Sequence, residues 1–420
     1  MSQTTLFCTV GGSHQVILRT IRHHDPDRIV FVCSEDEPER AGTYELITGD
    51  GMVCKSDWSS PPDLPNIPTQ IGLSEDVYDA PLRVPADSPE VVIDRVLPML
   101  DEAASKGPVI ADYTGGTKSM SSGLFFAAVI SGAQLSLVNG TRVDHVRVME
   151  GTEAVAYQDV SAIRDSQYLR RARNAWKRFE YQRAAKVLDE SGSDHPDIKR
   201  LRVLSRAFAA WDNFDHQQAY RLLRTCSRDV PDLLPVIATL KKPEERWDRS
   251  AEAYNIWDLR KMAERRAATD RYDTALLLLY RVFEWIGRWT LNCDHDIDTS
   301  DVSESIAEQY SDLVHRAPND SFKLGMEGAW RLIERLDGAL ADIAEETRHS
   351  RRTIAQRRNQ SVLTHGTTPV TKKEYDQARI WFEEEVESRF VEAAFGSEPP
   401  FDQLPSTVPN GLMSSAAGDE

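Results

Sequence analysis

Short apolar bursts set between amphipathic stretches mark the first 160 residues of the chain. "TTLFCTV", "RIVFVCS", "PTQIGL", "PVIADYT" and "AQLSLVN" are rich in Val, Ile, Leu and Thr and close on small or polar residues, the pattern of buried strands. Residues 15–23, 89–105 and 118–131 instead carry helical periodicity. This alternation predicts a parallel, Rossmann-like α/β sheet with helices on both faces. "VDHVRVMEG" and "EAVAYQDV" then predict a closing hairpin around Gly151.

Beyond Ser161 the strand pattern stops and helical periodicity takes over. Trp176, Phe179, Ala184 and Leu188 recur 35 residues later as Trp211, Phe214, Ala219 and Leu223, a spacing similar to helical hairpins of the tetratricopeptide kind. Two units are too few for a solenoid, so residues 161–250 read as a helical connector with these aromatics in its core. A second helical block covers 251–396, with "YDTALLLLYRVFEWIGRW" as one apolar helix and "WRLIERLDGALADIAEET" as another. Residues 397–420 are rich in Pro, Ser and Gly without any period, which predicts a disordered tail. The expected class is α/β followed by all-α.

At 420 residues the chain exceeds one ordinary core, so two or three domains are expected. A net charge of -17 excludes a general duplex-coating protein, which would be basic, yet leaves room for nucleic acid at a local basic patch. Cys8, Cys33, Cys54, Cys226 and Cys293 are scattered without a CxxC, which suits a reducing compartment and argues against structural zinc. Cys293, His295 and Asp296 form one metal-like cluster, but no metal or resident cofactor is expected. No apolar run approaches the ~20 residues that span a bilayer, and the start does not read as a signal peptide. A soluble, cytoplasmic protein with no membrane partner is the expectation.

Two glycine-rich loops follow predicted strands: "GGSHQ" at 11–15 and "GGTKSM" at 115–120. In an open α/β sheet ligands bind outside the carboxyl ends of the strands, and both loops open helices whose N–H groups favour anions. Thr114, Thr117, Ser119 and Lys118 add hydroxyls and a cation, so a phosphorylated ligand is expected. Neither loop is GxGxxG or a P-loop, which argues against a dinucleotide enzyme or a P-loop NTPase. The glycines would also serve as plain tight βα turns.

"RRNQSVLTHG", 357–366, crowds Arg358, Asn359 and His365 together before Gly366. Continued as a helix, it puts Arg358 and His365 on one face about 10 Å apart along the axis. It reads either as a helix C-terminus, with His and Gly in capping positions, or as a phosphate site with proton chemistry. Upstream, Arg348, Arg351, Arg352, Arg357 and Arg358 form the basic cluster where an RNA backbone would approach.

"TVGGSHQVI", "FVCS" and "ADYTGGTKSMSSGL" together resemble the CARF sensor domain of type III CRISPR-associated accessory proteins, and "RVDHVRVMEG" suits the end of that domain. The resemblance implies a dimer binding a cyclic oligoadenylate of unspecified ring size through Gly11, Gly12, Ser13, His14, Ser34, Thr114, Gly115, Gly116, Thr117 and Lys118. "RYDTALLLLYRVFEWI" followed by "RRNQSVLTHG" is similar to the HEPN ribonuclease domain, whose signature sets Arg, often Asn, a short spacer and then His. That likeness implies metal-independent cleavage of single-stranded RNA by a homodimer, with Arg358, Asn359 and His365 as the catalytic set. It leaves open a ring-nuclease activity using Ser13, His14, Thr114 and Lys118. The alternative is a non-catalytic cyclic-nucleotide sensor that regulates a partner through its helical half.

Overall fold

The structure, a computed structural model, describes residues 3–56, 60–139, 142–143, 147–148, 154–241, 248–318, 320–336, 340–364 and 366–409, leaving aside the side chains of the short strands at 142–148 and of residues 351 and 352. The chain divides into two compact units, residues 1–167 and 168–420.

In the first unit, strands β1 (Thr5–Thr9), β2 (Arg28–Ser34), β3 (Leu82–Val84), β4 (Val109–Asp112) and β5 (Gln134–Asn139) run parallel. Two further pieces, β6 (Arg142–Val143) and β7 (Arg147–Val148), pair only with each other, and β8 (Ala154–Gln158) closes the sheet antiparallel to β5. The order is β3-β2-β1-β4-β5-β8, so the winding reverses between β1 and β4. Helices α1 (His14–His24), α2 (Glu45–Thr48), α3 (Ile67–Ile71), α4 (Pro89–Ala104) and α5 (Lys118–Ser131) connect the strands. Alternate residues of β1 serve opposite cores: Phe7 packs with Val92, Val96 and Leu124, whereas Leu6 and Cys8 pack with Ile17 and Ile21. Burial on both faces explains why these strands read as unbroken apolar runs.

Two expectations need correction here. "PTQIGL" is not a strand but the end of α3: Asn66 caps its start by accepting from the Thr69 N–H at 2.9 Å, and Gly72 closes it in the left-handed region. The edge strand β3 lies instead at 82–84, a three-residue stretch between two prolines, too short to register as a pattern. The closing hairpin does not form as expected, because β7 pairs back to β6 while β8 pairs with β5; Gly151 lies outside the described residues.

The second unit is helical. After α6 (Ser161–Trp176), within which the division falls, come α7 (Tyr181–Glu190), α8 (Pro196–Asp212), α9 (His216–Leu223), α10 (Leu233–Leu240), α11 (Arg249–Ala267) and α12 (Tyr272–His295). The 35-residue repeat is real at the level of single hydrogen bonds. Phe179 and Phe214 both adopt positive φ, at 56° and 62°, and each donates its N–H to the carbonyl of the preceding Trp at 2.8 Å. The same turn occurs a third time between α11 and α12, where Asp270 has φ 61° and its N–H reaches Ala267 at 3.0 Å. The sequence hides this copy because Ala267 and Asp270 stand where the aromatics stood.

Then follow α13 (Glu304–Gln309), the hairpin β9 (His315–Arg316) and β10 (Phe322–Lys323), α14 (Met326–Arg335), α15 (Ala341–Glu346), α16 (Arg348–Gln360), α17 (Lys372–Phe382), a π turn at Glu383–Glu387 and α18 (Ser388–Phe395). "WRLIERLDGALADIAEET" is therefore two helices, α14 ending where Leu336 turns extended. The expected connector does not stand apart, since its core of Trp176, Phe208 and Trp211 also takes in Trp257 of α11 and Val391 of α18. Nor is the tail disordered through 409. Phe401 and Leu404 are buried in that same core, the Trp257 indole donates to the Phe401 carbonyl at 2.7 Å, and the Tyr181 hydroxyl donates to Pro405 at 2.8 Å. Phe401, Leu404 and the hydrogen bonds of Gln403 to Lys261, Glu264 and Arg265 dock a segment whose polar composition reads as unfolded; 410–420 lie outside the described residues.

Candidate functional site

The two glycine loops meet at the reversal of the first unit's sheet. Residues 11–13 leave β1, residues 113–117 leave β4, and the two strands are neighbours, so both loops lie at the carboxyl edge where ligands bind in such sheets. Their contact is main chain against main chain. A side chain at Gly115 would strike the Thr9 carbonyl, and one at Gly11 would lie 2.6 Å from the Gly116 nitrogen. The Thr9 and Ser121 hydroxyls both donate to the Gly115 carbonyl at 2.6 Å.

Several hydroxyls expected to hold ligand hold the protein instead. Thr114 accepts from the Val138 N–H at 2.8 Å, Thr117 caps α5 by accepting from Met120 at 3.1 Å, and Ser34, buried, accepts from Thr43 at 3.0 Å. His14 is buried at 4 % exposure, whereas Gly12, Ser13 and Lys118 face solvent. The set expected for ring cleavage is thus divided, with only Ser13 and Lys118 exposed. Neither α1 nor α5 has an acidic residue in its first turn, so neither helix sets a carboxylate of its own at its positive end, and α5 opens on Lys118. Behind the loop, Asp112 accepts from the Thr114 N–H at 3.1 Å, Ser136 at 2.9 Å and Thr20 at 3.1 Å, and burial pushes its carboxyl upward in pKa.

The second candidate site lies at the end of α16. The helix stops at Gln360, with Ser361 extended, so Arg358 and the sequence after it do not continue as two helical turns. The chain folds back instead. The Thr364 hydroxyl donates to the Arg358 carbonyl, the Thr364 and Gly366 N–H groups each donate to Ser361 O at 3.1 Å, and Thr368 N–H donates to Gln360 O at 3.2 Å. Gly366 is needed for this close return, because a side chain there would strike the Gln360 carbonyl; it is not a helix cap. His365 lies outside the described residues, but Thr364 and Gly366 on either side are both tied to residues 358–361.

Asp273, at the start of α12, anchors the whole loop. Its carboxylate accepts from the Ser361 hydroxyl at 2.6 Å and the Val370 N–H at 3.1 Å. Arg358 donates through Nη1 to Asn359 Oδ1 at 2.9 Å, and its guanidinium lies 4.8 Å from the centre of the Tyr280 ring. Its Nε is buried with no hydrogen-bond partner among the described residues. A fixed planar cation held beside Asn359 and over Tyr280 suits an oxyanion of phosphate. Burial raises the Tyr280 phenol in pKa, Glu284 adds to this and Arg358 opposes it, so the ring stays neutral.

The basic cluster is less available than its composition suggests. Arg357 is spent on a bidentate pair with Glu374 at 2.7 and 3.0 Å, which holds that carboxyl down to about 2, and Arg348 pairs with Glu334. Asp273 and Tyr280 escaped sequence reading because they lie some 80 residues before the motif and look like ordinary helix residues. Among the described residues no group of His, Cys, Asp and Glu could hold a metal ion, and no helix is long and apolar enough to cross a membrane.

Residues 245–387, which contain Asp273, Tyr280, Arg358 and Asn359, match the family model of the Csm6 HEPN domain. The match covers this helical segment, about a third of the chain. The chain is also similar in fold to Enterococcus italicus Csm6 bound to cyclic hexa-2'-fluoro-hexa-dAMP, with a TM-score of 0.61 at 12% identity over 96% of each chain. No curated protein matches. The likeness in fold, an α/β unit followed by a helical one, thus spans the chain, and residues 245–387 carry the HEPN match that the motif resemblance implied.

Proposed function

We propose that the chain is a cyclic-oligoadenylate-activated, metal-independent endoribonuclease that cuts single-stranded RNA in type III CRISPR defence and works as a homodimer. The observation that carries this reading is Arg358, held by Asn359 and Tyr280 inside the segment matching the HEPN domain. In the proposed reaction a ribose 2′-hydroxyl loses its proton and attacks the adjacent phosphorus, and the 5′-oxygen leaves. Arg358 stabilises the charge growing on the phosphorane, Asn359 orients the guanidinium, and His365 transfers the proton from the 2′-hydroxyl towards the leaving 5′-oxygen.

The activator class is supported by the ligand of the similarly folded Csm6 and by two glycine loops that open helices without acidic first turns, one of them starting on Lys118. Dimerisation is supported by exposed apolar pairs in both units: Phe126 and Ile130 on α5 at 55% and 54%, and Val362 and Leu363 after α16 at 56% and 51%. In this reading residues 1–160 sense the ligand, 161–250 connect, and 251–396 cut, and ligand shifts the population towards a competent pairing of HEPN domains.

A fluorogenic RNA assay with cyclic tri-, tetra- and hexa-adenylate tests the proposal. One ring size should switch cleavage on, excess chelator should leave the rate unchanged, and products should end in 2′,3′-cyclic phosphate. Absence of cleavage with every ring, or a chelator effect reversed by magnesium or manganese, defeats it.

A further inference from the structure

Beside Arg358 an open cleft of about 690 Å³ runs between α12, α16, the β9–β10 hairpin and the first turn of α14. Tyr280, His315, Glu327, Gln356, Asn359 and Gln360 line it. It is contiguous with the proposed phosphate grip, since Asn359 bonds Arg358 and Tyr280 lies beneath the same guanidinium. A volume of this size holds a ligand of a few hundred daltons. None of the lining residues is Lys or Arg, and one is a carboxylate, so the cleft suits a neutral polar group better than a phosphate.

We propose that this cleft is a nucleobase subsite that seats the base next to the scissile phosphate and sets the RNA sequence preference; the proposal rests on the ribonuclease reading above. Amide side chains present donor and acceptor together, as the Watson–Crick edge of an unstacked base requires, and a carboxylate accepts from an exocyclic amino group. Three amides from one face of α16, with Glu327 opposite and His315 at the hairpin, make a wall selective for a base bearing an amino group over uracil. The uncapped first turn of α14, Gly325–Gly328, adds main-chain N–H donors for ring nitrogens or carbonyls of the base. Phosphate binding at Arg358 is blind to sequence, so discrimination has to come from such a neighbour.

The test is cleavage of a randomised RNA pool by the full-length protein, activated by whichever cyclic oligoadenylate supports cutting, with sequencing of the cut ends. One position flanking the cut should favour adenine, cytosine or guanine over uracil by at least about fivefold. Gln356→Ala, at an exposed position, and Glu327→Gln should each flatten that preference to within about twofold and raise KM on the preferred sequence while keeping kcat. Equal melting temperatures would show both variants folded, and His315→Ala on the exposed hairpin supplies a third readout if either fails. A wild type that cuts without base preference, or a preference that survives all variants, overturns the subsite. A wild type that cuts nothing overturns the nuclease reading itself and the subsite with it.

Discussion

The glycine loops of the first unit and the end of α16 in the second are both proposed phosphate sites, but they are built from different material. At the loops the architecture is main chain: glycines let two turns touch, and Thr114, Thr117 and Ser34 spend their hydroxyls holding the turns in place. At α16 the work falls to a few side chains, and the main chain serves to fold the loop back beside them. A site of shared N–H groups and helix ends loses little when one side chain is cut away. A site resting on one guanidinium loses nearly everything.

The largest expected effect is therefore at Arg358. Arg358→Ala should lower activated RNA cleavage by at least about 10³-fold, the scale of a lost transition-state cation, and His365→Ala by a similar factor. Neither should change activator affinity measured by calorimetry. Arg358 donates to a neighbour on its own helix and keeps Nε without a partner, so its removal should leave the melting temperature nearly unchanged. A folded, dimeric Arg358→Ala protein that cuts RNA at the wild-type rate would erase the contrast between the sites. Asp273→Asn belongs to the same comparison, because it weakens the anchor of the loop without touching substrate. It should reduce kcat by a smaller factor while lowering stability by about 1–2 kcal/mol.

The next effect is the reverse case, a change at the loops made through the backbone. Gly115→Ala places a methyl against the Thr9 carbonyl in a turn already fastened by two hydroxyls. The expected cost is about 3 kcal/mol in stability, with loss of activator binding, read by thermal denaturation and titration. Gly72→Ala is the control: it has open space around it and only its left-handed φ of 65° to strain, so about 1 kcal/mol is expected. Equal behaviour of the two variants would mean the loops do not depend on close main-chain contact.

The same contrast explains what could be read without coordinates. Patterns that repeat along the chain were legible: β2 and α5 fall at the residues expected, and the Trp–Phe repeat follows single hydrogen bonds. The motif containing Arg358 was legible because its residue types and order are unusual. What stayed hidden depends on partners far away in sequence. A helical continuation through His365 follows from spacing alone, but Ser361 and Asp273, 88 residues apart, redirect the chain. The tail composition reads as disorder, and two buried side chains with the hydrogen bonds of Gln403 reverse it. Ser34 and Thr114 stand at or just after the ends of β2 and β4, yet nothing local in the sequence shows that their hydroxyls are already occupied.

The smallest effect should come from Lys118, the exposed cation at the first turn of α5. It makes no ion pair among the described residues, and the helix end beside it attracts anions without its help. A charge-assisted hydrogen bond that remains partly in water contributes at the low end of about 1.5–3 kcal/mol, so Lys118→Ala should weaken cyclic oligoadenylate binding roughly tenfold. The fold should be untouched, with a melting temperature within a degree or two of wild type, because the side chain is exposed and makes no ion pair among the described residues. RNA cleavage at saturating activator should return to the wild-type rate, and only the half-activating concentration should rise. A drop of a thousandfold in affinity would make Lys118 the counterpart of Arg358 and defeat the idea of a main-chain site. No change at all would leave the ligand to the loops and helix ends alone, and would remove Lys118 from the binding set.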